Sequence, residues 1–329
     1  MERGKHLFGG LLRNCMMEII LLVLAVVLAL NTPHFLTTGN LLNLLRNVSM
    51  QGIIAFGMTM LIICGEIDLS VGSAVAFAGC LLAFLTEKLA GAPLHLPLGL
   101  ALVLSMVVVL AVGFSLGLLT GLLRIRFNVP TFISTLALLT VLSGAAYLMT
   151  GGFPLAPFPP WFNFLGGGYL VGIPFPALVF LAVFALTSGL MHFTSFGRAI
   201  YAVGGNAEAA RLSGIRVGLV KTLTLGLTAA LAAFAGILQA SEIMSGTAST
   251  ARGWELDVIA AVIIGGTSLM GGVGRIWGTL IGVMFLGVIM NGMTLLNVNE
   301  YWQLVVRGAL ILTAVLINRL QLTTESAAG

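Results

Sequence analysis

Charge is what this sequence has least of. Across 329 residues, 15 Lys and Arg and 11 Asp and Glu make up 8% of the chain, against 59% hydrophobic residues. A soluble globular domain carries about 25% charged residues, so a water-soluble fold is excluded and a mean hydropathy of +1.10 places the chain in a bilayer. The formal charge of +4 rests on too few groups to describe a nucleic-acid surface, and no nucleic-acid partner is expected. Cysteine is scarce: Cys15, Cys64 and Cys80 lie in or beside apolar stretches without metal-ligand spacing, and they read as small buried hydrophobes. His6, His34, His95 and His192 are scattered, and no serine sits in a nucleophile elbow. The glycine-rich run from Gly265 to Gly274 lacks the Lys-Ser/Thr pair and the αβ surroundings of a nucleotide loop. No catalytic residue, metal or cofactor is therefore expected on this chain, which must conduct, receive or gate.

What is there is a series of apolar runs. A membrane helix needs about 20 apolar residues, and ten spans are expected, about 14–31, 48–64, 71–86, 98–122, 128–149, 174–193, 217–239, a short eighth, 276–296 and 301–318. The basic start and first apolar run could be a cleaved signal peptide, but no small-residue cleavage pattern closes the run. Thr37 to Asn40 reads as the cap of an amphipathic surface helix leading into the second span. Residues 151–174, with Trp161, Phe162 and Tyr169, read as an outer loop resting partly in the interface, and 240–255 as a polar loop. Leu256 to Ile264 is too short to span and runs into Gly265, Gly266, Gly271 and Gly272. It reads as a broken or recessed helix shielded by protein. The expected fold is all-α and polytopic, one transmembrane domain over residues 1–329. Ten crossings segregate the basic residues: Arg3, Lys5, Arg13, Arg124, Arg126, Arg198, Arg211, Arg216, Lys221, Arg275 and Arg319 on one face, Arg46, Lys88, Arg252 and Arg307 on the other. Positive charge marks the cytoplasmic side, so both termini are expected inside.

The one long basic interruption, 194–216, falls on that inner face. Asn206 is a candidate cap and Gly214 a stop, giving about two helical turns over 207–213. Ala207, Ala209 and Ala210 around Leu212 suit docking into a protein groove better than lying on lipid; a plain solvated loop is the alternative. Glu66 and Asp68 stand in a glycine-bounded break between two spans. Asp68 can cap the third span while Glu66 stays in interfacial water; a gate or a proton relay are the alternatives. Glu255 and Asp257 sit where acids favour a helix N-terminus. Asn291, Asn297, Asn299, Gln303 and Arg307 give the last two spans a modest polar lining, with Asn291 and Gln303 the candidates for a translocation path.

Three stretches in order, Cys64-Gly65-Glu66-Ile67-Asp68-Leu69-Ser70-Val71-Gly72-Ser73, Phe196-Gly197-Arg198 through Gly204-Gly205-Asn206 to Ser213-Gly214-Ile215, and Asp257 through Gly265-Gly266-Thr267-Ser268 to Gly271-Gly272, resemble the ribose-type permease subunits of bacterial ABC importers. The resemblance covers about residues 15–320. It implies an inner-membrane permease in a homodimer or beside a close paralogue, with two ATP-binding domains, separate or fused, and an extracytoplasmic sugar-binding protein. ATP and Mg2+ would be held by those partners. It implies a coupling helix built on Gly204, Gly205, Asn206, Glu208, Ala209, Ala210, Ser213 and Gly214, and alternating access for a simple sugar or a sugar-like solute such as autoinducer-2. A secondary transporter or channel is the rival class.

Overall fold

The structure, a computed structural model, describes residues 16–327, with side chains to Leu316. Arg3, Lys5, His6, Arg13, Cys15 and the side chain of Arg319 lie outside it. The described residues form thirteen α-helices: α1 (Met16–Asn31), α2 (Thr38–Ile63), α3 (Val71–Ala90), α4 (Leu98–Phe127), α5 (Thr131–Thr150), α6 (Asn163–Gly167), α7 (Phe175–Phe193), α8 (Ser195–Gly205), α9 (Ala207–Leu212), α10 (Val217–Ile243), α11 (Trp254–Ile264), α12 (Ile276–Leu295) and α13 (Glu300–Ala327). A 3-10 turn at Pro160–Phe162 precedes α6, and the strands Tyr169–Leu170 and Ile173–Pro174 form a short antiparallel hairpin after it. Seven helices (α2, α3, α4, α5, α7, α10 and α12) are long and apolar enough to cross a membrane, while α1 has 16 residues and α11 has 11.

Helix α10 is the centre, packed along α4, α3 and α2. Lipid is as apolar as a leucine, so helices associate in it through close packing and interhelical hydrogen bonds. Both devices are present. A Cβ added at Gly117 of α4 would overlap the Leu225 carbonyl oxygen and lie 2.7 Å from Gly226 Cα, so the two backbones touch. Thr228 of α10 donates to the Gly57 carbonyl of α2 at 3.0 Å, and the Thr59 and Thr279 hydroxyls join α2 to α12 at 2.6 Å.

Three expectations are corrected. Residues 38–63 form one continuous helix, not a surface helix followed by a span. The reason is that Leu44 and Val48 are buried; Gly287 of α12 leaves the room Val48 occupies, so this leucine-rich turn faces protein. Second, the polar loop expected over 240–255 is confined to 244–253. Helix α10 continues to Ile243, and the chain then folds back so that Gly246 exchanges hydrogen bonds with Leu155 and lies against Gly79 and Cys80 of α3. Third, the 151–174 segment is anchored in protein by Phe162, fully buried against Leu102, Phe158 and Ile237, although Trp161 and Tyr169 are half exposed.

Gly117→Val should lower the midpoint of thermal unfolding in detergent, overpacking a close seam costing about 1–3 kcal/mol. Gly144→Val, where nothing lies within 4 Å, should leave the midpoint nearly unchanged.

Candidate functional site

Thr194 caps α8, its Oγ1 accepting from Gly197 N at 3.1 Å, and Ile200 and Val203 seat that helix on the bundle. Asn206 Oδ1 then accepts from Ala209 N at 2.9 Å and starts α9. The helix ends at Leu212, one residue earlier than expected, and Gly214 turns the chain at φ +85°. Ala207, Glu208, Ala209, Arg211 and Ser213 are exposed, and Leu212 is 76% exposed. Ala210 is buried, so it faces its own bundle and is not available to a partner groove. Arg211 bonds Glu208 at 2.6 Å and holds its carboxyl below the usual range.

The two glycine-bounded breaks, far apart in sequence, meet beneath α8. Gly272 N donates to the Ile63 carbonyl at 2.9 Å, and Tyr201 Oη donates to the Gly274 carbonyl at 2.8 Å. A Cβ at Gly204 would overlap that same Ile63 oxygen, and one at Gly271 would lie 2.9 Å from the Gly204 oxygen. The contact is therefore backbone on backbone. It ties α8 to the end of α2 and to the link between α11 and α12. Gly265 lies equally close against Gly278, whereas Gly266 turns the chain at φ +86° in open space and Gly205 is likewise unhindered.

Glu66 does not stay in interfacial water. It is 6% exposed, with Lys221 Nζ at 2.6 Å and Arg124 Nε at 3.2 Å from Oε1, while the Thr131 hydroxyl donates to Oε2. One carboxylate thus gathers the ends of α4, α5 and α10. Those partners lie 58, 65 and 155 residues away, beyond any helical-spacing reading. Asp68, 3% exposed, accepts from both Ser70 N (2.7 Å) and Ser70 Oγ (2.6 Å) with Oδ1, immediately before α3.

Between α2, α10, α11, α12 and α13 lies a cavity of about 390 Å³. Asn47 and Gln51 reach it from α2, Trp254 and Asp257 from α11, Asn291 from α12 and Arg307 from α13. Asn291 also makes a reciprocal amide pair with Asn40 at 2.8 and 3.0 Å. Gln303 lies outside the lining, its amide donating to the Val298 carbonyl. Arg307 Nε is 2.9 Å from Asp257 Oδ1, but its N–H does not point along that line, so the pair is ionic without a hydrogen bond from Nε. Gln51 Nε2 donates to Asp257 Oδ2 at 3.4 Å. Glu255 points elsewhere, against Gly72 of α3. Sequence reasoning missed Gln51, although two amides four residues apart on an apolar helix, Asn47 and Gln51, are a readable signal of one polar face.

Comparison with known proteins places the chain among transport components. The family described as "Branched-chain amino acid transport system / permease component" matches residues 40–315. The ribose import permease protein of Bacillus subtilis (strain 168) is 41% identical over 320 residues, covering 97% of this chain and 96% of its own length. A "Probable ABC transporter permease protein" of Escherichia coli (strain K12) is 47% identical, covering 91% of this chain and 87% of its own. The L-arabinose transport system permease protein of the same strain is 36% identical, covering 95% and 92%. No solved structure matches.

Glu66→Gln should lower thermal stability by about 3–5 kcal/mol, the usual cost of leaving a buried charge without its partner. Most of that loss falls on Lys221, 14% exposed, and less on Arg124, which at 34% is screened by solvent. Adding Lys221→Met should restore part of the midpoint; an unchanged midpoint in Glu66→Gln would refute a structural role for the cluster.

Proposed function

The chain belongs to the permease family of ABC importers described as the branched-chain amino acid transport system permease component, and from that membership we propose that it carries a simple sugar into the cytoplasm. The observation that carries the reading is the exposed α9, held by Asn206 and Gly214, on a helix whose backbone touches both breaks. ATP binding draws two ATP-hydrolysing domains together, their grooves carry α9 with them, and the bundle changes the face to which its interior opens. ATP and Mg2+ are held by those domains, separate or fused. The chain works with a second permease subunit, identical or closely related, and with an extracytoplasmic binding protein that delivers the solute.

The relatives named for ribose and L-arabinose import support a pentose first; autoinducer-2 is the sugar-like alternative. The fold reads as ten crossings of the inner membrane, with α1, the recessed α11 and α13 joining the seven long spans. Among the described residues, Arg124, Arg126, Arg198, Arg211, Arg216, Lys221 and Arg275 lie at the α9 end, which supports a cytoplasmic α9 and cytoplasmic termini. Of the four basic residues expected outside, Arg307 lines the cavity, while Arg46 lies over the Tyr169 ring and donates to the Gly167 carbonyl, both in the 151–174 segment expected outside.

Single cysteines at Glu208 and at Val171, which is 94% exposed, should label from opposite sides of intact cells; labelling of both from outside would refute the topology. Ala209→Glu should leave permease abundance unchanged, a surface change being worth within about 0.5 kcal/mol. It should abolish both co-purification of the ATPase and ATP-dependent uptake of labelled D-ribose or L-arabinose in vesicles. Normal values for both would mean that coupling lies elsewhere.

A further inference from the structure

We propose that Arg252, on a loop that re-enters the membrane from outside, stands in a water-filled passage between this chain and a second permease copy, and there bars cations, protons included, from leaking inward. The inference rests on the importer reading above for the second copy and adds to it what keeps the passage tight to ions.

Depth comes first. Helix α10 ends at Ile243, and Leu155 of the outer segment pairs with Gly246, so the loop over 244–253 starts from the outer side. It then descends along α3. Gly246 lies against Gly79 and Cys80, whereas a Cβ at Gly72 would lie 2.9 Å from the Ala251 carbonyl oxygen. Gly72 precedes Gly79 by about two turns of helix, roughly 10 Å. The level reached is the middle of the bundle: Gly253 lies beside the Arg307 guanidinium, and Asp257, which faces the same Arg307, accepts from Gln51, halfway along the 26-residue α2. Arg252 is exposed at that level, as are Ser249 and Leu256. An arginine that the sequence assigns to the outer surface thus stands inside the membrane.

A cation uncovered at mid-depth is too costly to leave facing hydrocarbon, and irregular backbone is tolerated there only where protein buries it or water reaches it. This face is therefore turned to water or to a partner. Charge decides between them. Glu255 turns its carboxylate into the bundle against Gly72, and Asp257 faces Arg307. No acid among the described residues pairs with Arg252. A second copy related by a twofold axis brings the same loop, and its own arginine, to the seam. Like charges hold that seam open to water. Water alone would conduct, because a membrane potential negative inside drives cations inward. A fixed positive charge in the passage opposes them, as arginines do in pores that exclude protons. At an effective dielectric of about 20, like unit charges about 10 Å apart repel enough to lower cation occupancy roughly tenfold. A neutral solute meets no such barrier.

The test uses the full chain with its ATPase, without ATP, in liposomes that hold a pH-sensitive dye, a potassium gradient with valinomycin setting the interior negative. Arg252→Gln should raise proton influx about tenfold over the unsubstituted protein, and Arg252→Lys should leave it low. Arg252→Cys, in a Cys15→Ser background with Cys64 and Cys80 buried, tests the charge itself. A methanethiosulfonate that attaches a trimethylammonium group should return influx to the original level, and one that attaches a sulfonate should not. Should Arg252→Gln fail to fold, the two reagents decide alone. Equal influx in folded Arg252→Gln and the unsubstituted protein would overturn the barrier, as would equal effects of the two reagents. Failure of both reagents to modify the introduced thiol would show the seam closed by protein and overturn the passage. ATP-dependent uptake of labelled D-ribose or L-arabinose is measured separately: its absence in the unsubstituted protein removes the importer reading, whereas the leak comparison removes only this one.

Discussion

Everything in this fold answers to one constraint: inside a bilayer a backbone group or a charge that leaves its helix has no water to turn to. The chain breaks its helices twice within the bundle, after Ile63 and after Ile264, and satisfies both breaks with each other. Gly272 N reaches the Ile63 carbonyl, and Tyr201 covers the Gly274 carbonyl. The three buried acidic residues obey the same rule. Glu66 collects Lys221, Arg124 and Thr131, Asp68 takes both donors of Ser70, and Asp257 stands against Arg307. The residues that look most out of place in the sequence are thus the ones that tie distant helices together.

Much of this was legible beforehand. Low charge and repeated apolar runs gave the all-α membrane class, and three ordered motifs gave the family, which the comparisons show. Asn206 and Gly214 bracketed α9 because capping is local chemistry, written within three or four residues. The short eighth helix was readable from its length. What could not be read was long-range. Nothing near Glu66 names Lys221, and nothing near Gly246 says that it pairs with Leu155 and folds a polar loop back onto the bundle.

The cavity shows the same division. Asn291 was visible as a polar residue in an apolar span, and it does line the space. Gln303, equally polar, spends its amide on the Val298 carbonyl nearby. The two cannot be told apart by composition, because the difference is whether a local carbonyl lies within reach. Ala210 is a similar case: its small side chain suggested a docking face, yet helical phase turns it toward the bundle and leaves Leu212 outward.

The junction at Gly204, Gly271 and Gly272 has no side chains in it. Side chains absorb small movements by changing rotamer, so a joint built through them yields a little before it passes force on. This joint has no such slack. A shift of α8 meets the Ile63 and Gly272 backbone at once, and the helices it displaces, α2, α11 and α12, are the ones whose Gln51, Asp257 and Asn291 form the cavity wall. Movement imposed at α8 would arrive at the cavity without backlash.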